Sequence, residues 1–62
     1  MNRESEEVKT NALKEAKRLH AKAQDTGDPE LYEQAAQMYE VAGLTNKAAD
    51  CRMFADVARG VE

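Results

Sequence analysis

Residues 32–55, YEQAAQMYEVAGLTNKAADCRMFA, read as two helices folded back on one another across a tight turn at Ala42–Thr45. Gly43 stands just past the apolar run of the first helix, where a left-handed residue ends helices and glycine adopts it without a Cβ penalty. Thr45 is the expected cap for the free N–H groups of the next helix. Leu44, between them, is placed to pack back towards Tyr39 and forward towards Ala49. So short a connection makes the two helices antiparallel neighbours. Ala35, Ala36 and Ala42 on one side, and Ala48, Ala55 and Ala58 on the other, form a seam of small residues that lets the axes approach closely.

Working outward, Thr26-Gly27-Asp28-Pro29 is the strongest stop signal in the chain. Gly27 can end a preceding helix. Asp28 can cap the next one, and Pro29 suits its first position, where the missing N–H is not needed. Before this break, Val8, Ala12, Ala16, Leu19 and Ala23 recur at helical spacing, flanked by Leu13 and His20. Ser5 is a candidate cap, and Glu4, Glu6 and Glu7 sit favourably at the positive end of the helix dipole. After the turn, Ala48, Cys51, Ala55 and Ala58 are in line, with Met53, Phe54 and Val57 broadening the stripe. No strand pattern occurs. The reading is an all-α, antiparallel three-helix bundle in one domain over residues 1–62, with helices at about 4–25, 29–42 and 46–59.

The hairpin resembles a tetratricopeptide (TPR) repeat. Tyr32 is followed by a small residue at Ala36, an aromatic at Tyr39, glycine at Gly43, then Ala48 and Ala55. The likeness covers roughly residues 29–60. The sequence departs from that pattern at Ala35, where leucine is preferred, at Arg52, where an aromatic is preferred, and at Gly60, where a proline often closes the repeat. The first helix resembles the second half of a truncated repeat, with Ala16, His20 and Ala23 at its small–aromatic–small positions. The three-helix plan is also similar in outline to MIT domains, which bind helical tails. The TPR resemblance implies that Glu30, Glu33, Gln37, Glu40 and Val41 face a ligand that is basic or amide-rich. Helical spacing alone places the three glutamates and Gln37 on one face, as it does the polar side of any surface helix.

The chain has 62 residues, of which 42% are hydrophobic, but eleven of those are alanine and only three are aromatic. Its core is therefore thin, and a partner or a second copy would supply missing burial. The charge is uneven. Residues 1–24 carry six Lys/Arg against four Asp/Glu, and residues 25–62 carry three against eight. Lys14, Lys17, Arg18 and Lys22 form a basic row that is a second candidate face. The overall charge of −3 and the lack of aromatics in that row argue against nucleic acid.

One cysteine excludes an internal disulfide framework and fits a reducing compartment. No apolar run reaches the roughly 18 residues of a membrane span, and MNRESEEVK has no secretory apolar segment, so the expected setting is cytosolic and away from membranes. His20 and Cys51, each the sole residue of its type, read as packed side chains rather than as a metal or redox pair. No phosphate loop, catalytic triad or metal motif is present. The sequence reads as a non-catalytic, cofactor-free protein–protein interaction module that binds a protein or peptide through a helical groove. A self-associating structural protein, dimeric or larger, is the alternative, and weak nucleic-acid binding by the first helix is a third.

Overall fold

The computed structural model describes the backbone of residues 3–60 and the side chains of residues 6–60. Three helices follow one another: α1 (Arg3–Thr26), α2 (Pro29–Val41) and α3 (Thr45–Arg59). They form an all-α three-helix bundle. No strand occurs among the described residues. α2 is the middle element, with α1 and α3 packed on either side of it and in little contact with each other.

The breaks between helices follow local chemistry. Gly27 takes φ +73° and its N–H donates to the Ala23 carbonyl, which ends α1. Asp28 is extended, and its side chain accepts from the Glu30 N–H at 3.0 Å, with Pro29 opening the helix. At the second turn Gly43, at φ +83°, donates to the Glu40 carbonyl, and the Leu44 N–H reaches back to Tyr39. This pair of bonds is a Schellman closure, and Leu44 packs against the cluster that contains Tyr39.

Two expected caps are replaced. Leu44 is the residue at the N-cap of α3, and no side chain caps that helix. The Schellman closure leads directly into α3, so Thr45 is already helical and its hydroxyl lies past the position from which a cap reaches forward. α1 begins at Arg3, so Ser5 lies within the helix rather than before it; the side chains of Ser5 and Glu4 fall outside those described.

The core is built from small residues. Ala12, Ala16, Ala23, Ala35, Ala36, Ala48, Ala55 and Cys51 are buried, and Leu19 and Tyr39 are the large buried side chains. Leu13, Leu31, Met38 and Leu44 close its edges. The seam is shorter than its sequence pattern, since Ala42 is half-buried and Ala58 exposed. Val8 departs from its stripe for a geometric reason. α1 has 24 residues and α2 has 13, or about 36 Å against about 20 Å of helix. The first turns of α1 therefore run past the end of α2, and no residue from Glu6 to Asn11 is buried.

Candidate functional site

Where the three helices meet, four rings come together. His20 of α1 stacks on Phe54 of α3, with centroids 6.0 Å apart, and meets Tyr32 and Tyr39 of α2 edge-on at 5.9 and 6.3 Å. Tyr32 and Phe54 are 5.6 Å apart. The imidazole Nε2 is buried without a hydrogen-bond partner. Beside it a recess of about 80 Å³ is lined by His20, Tyr39, Lys47, Asp50 and Phe54. Burial, with a smaller contribution from Cys51, pushes the Tyr39 hydroxyl up from its ordinary value. Burial and then the Asp50 charge push the Cys51 thiol up, against the opposing charge of Lys47. A buried thiol held in its neutral form packs as a small apolar group.

The acidic face of α2 is divided. Glu33 accepts both arms of the Arg59 guanidinium, at 2.6 and 2.8 Å, and Glu40 pairs with Arg52. Arg59 holds the Glu33 carboxyl below its ordinary range, chiefly through the hydrogen bond. Gln37 joins Glu33, Arg52 and Asp56 in a polar groove of about 290 Å³ between α2 and α3. Glu30 is exposed near the start of α2. Val41 belongs to a different groove. Of the five residues expected to face one ligand, Glu33 and Gln37 thus line one groove and Val41 another, and two of the three glutamates already hold a cation from α3.

The basic row is exposed along α1. Arg18 is held in a two-pronged pair by Glu15, at 2.7 Å for each contact. Among the described residues this leaves Lys14, Lys17 and Lys22 outside any ion pair.

Sequence periodicity did not reveal the groove that Val41 lines. Val8, Asn11, Ala12 and Glu15 of α1 face Met38 and Val41 of α2 across a space of about 320 Å³. Its apolar lining is open to solvent, with Val8 54% and Val41 46% exposed. The one signal for it was length, since the stripe of α1 extends farther than the stripe of α2 can cover. A second apolar surface lies on the outer side of α3, where Met53 and Val57 are 56% and 69% exposed, with Phe54 at its edge.

No three His, Cys, Asp or Glu side chains are grouped as metal ligands among the described residues. No described helix is long and apolar enough to cross a membrane. No family model, curated protein or solved structure matches the chain.

Proposed function

We propose that this chain is a small, non-catalytic protein–protein interaction module that receives a protein or peptide partner in a groove between helices. One observation carries the reading: after the fold closes, Val8, Val41, Met53, Phe54 and Val57 stay exposed. The protein or peptide partner, the cytosolic setting and the absence of catalysis belong to this proposal, as does the TPR-like character of the α2–α3 hairpin.

The competing reading is a self-associating structural protein, and sedimentation equilibrium separates the two. With helicity followed by circular dichroism in the same samples, a monomer of constant helicity across a wide concentration range is the expected result. Association that rises together with helicity would overturn the module reading, because the missing burial would then come from another copy. Nucleic-acid binding would rest on Lys14, Lys17, Arg18 and Lys22 and would weaken steeply with salt; no detectable shift of DNA or RNA at low salt would remove it.

A further inference from the structure

We draw no further inference here: the strongest candidate, the open apolar groove between α1 and α2 lined by Val8, Ala12, Met38 and Val41, is an unpartnered face, and nothing in the structure shows what covers it.

Discussion

His20 and Phe54 stack with their centroids 6.0 Å apart and their planes inclined by 26°. α1 and α3 otherwise pack against α2 rather than each other, so these two rings are the main link between the outer helices. Tyr32 and Tyr39 flank the pair from the middle helix. Four side chains thereby do what a larger core would do by bulk: they tie the ends of a thin, alanine-lined bundle together.

Phe54→Ala is expected to destabilise the fold by about 1–2 kcal/mol, less than for a fully buried phenylalanine because the ring is partly exposed. In a domain of this size that lowers the melting temperature by roughly 4–8 °C for each kcal/mol. A double-mutant cycle with His20→Ala should show a coupling of about 0.5–1.5 kcal/mol. Strictly additive losses in thermal denaturation would mean that the stacked pair does not join the outer helices energetically.

The two helix starts should respond differently to the same kind of substitution. Asp28→Ala removes a hydrogen bond to the Glu30 N–H and is expected to cost about 1 kcal/mol. Thr45→Ala removes no cap and should stay within about 0.5 kcal/mol of neutral. Urea denaturation of the two variants side by side checks the order, and equal losses would refute the assignment of the caps.

Cys51 should resist thiol reagents until the bundle opens. Its side chain is buried, and burial holds the thiol above its ordinary ionisation range, so little of the reactive thiolate is present at neutral pH. Labelling with an aromatic disulfide is expected to be slow in buffer and to speed up through the unfolding transition. Cys51→Ala should be better tolerated than Cys51→Ser, which leaves a hydroxyl to be satisfied in an apolar site at about 1–3 kcal/mol. Rapid labelling of the folded protein would contradict the packing.

The Glu33–Arg59 pair makes a prediction in acid. The Glu33 carboxyl lies below its ordinary value of 4.5, through the Arg59 hydrogen bond first and its charge as well, with desolvation opposing. A carboxyl depressed in the folded state binds its proton more readily when the chain unfolds. Its contribution is therefore present above 4.5 and is lost as pH falls through the folded midpoint. A carboxyl titration by NMR should place Glu33 below 4.5, and Arg59→Ala should raise it. The urea midpoints of the parent and this variant should converge in acid; a gap that persisted there would assign the effect of Arg59 to packing instead.

Glu33–Arg59 and Glu40–Arg52 also show how far linear reading goes. Seven residues forward on α2 correspond to seven residues back on α3, which is the antiparallel register. Sequence spacing placed both glutamates on one face, and the TPR resemblance turned that face towards a ligand. It also marked Arg52 as a departure from its pattern, without indicating that Glu40 would be its partner. Helical spacing within one segment cannot identify a partner supplied by another helix.

The sequence by itself determined the features that depend on neighbours along the chain. Gly27, Asp28, Pro29 and Gly43 set the breaks, and the spacing of alanine, leucine and cysteine set the inward stripes, because capping and helical period are local properties of the backbone. Tertiary structure decided which stripe positions found cover. Val8 and Met53 carry the same local signal as buried neighbours, yet Val8 meets only the last residue of α2, Val41, across an open groove, and nothing among the described residues covers Met53. Burial depends on how long the facing helix is and where it lies, and those relations exist only once the three helices are brought together.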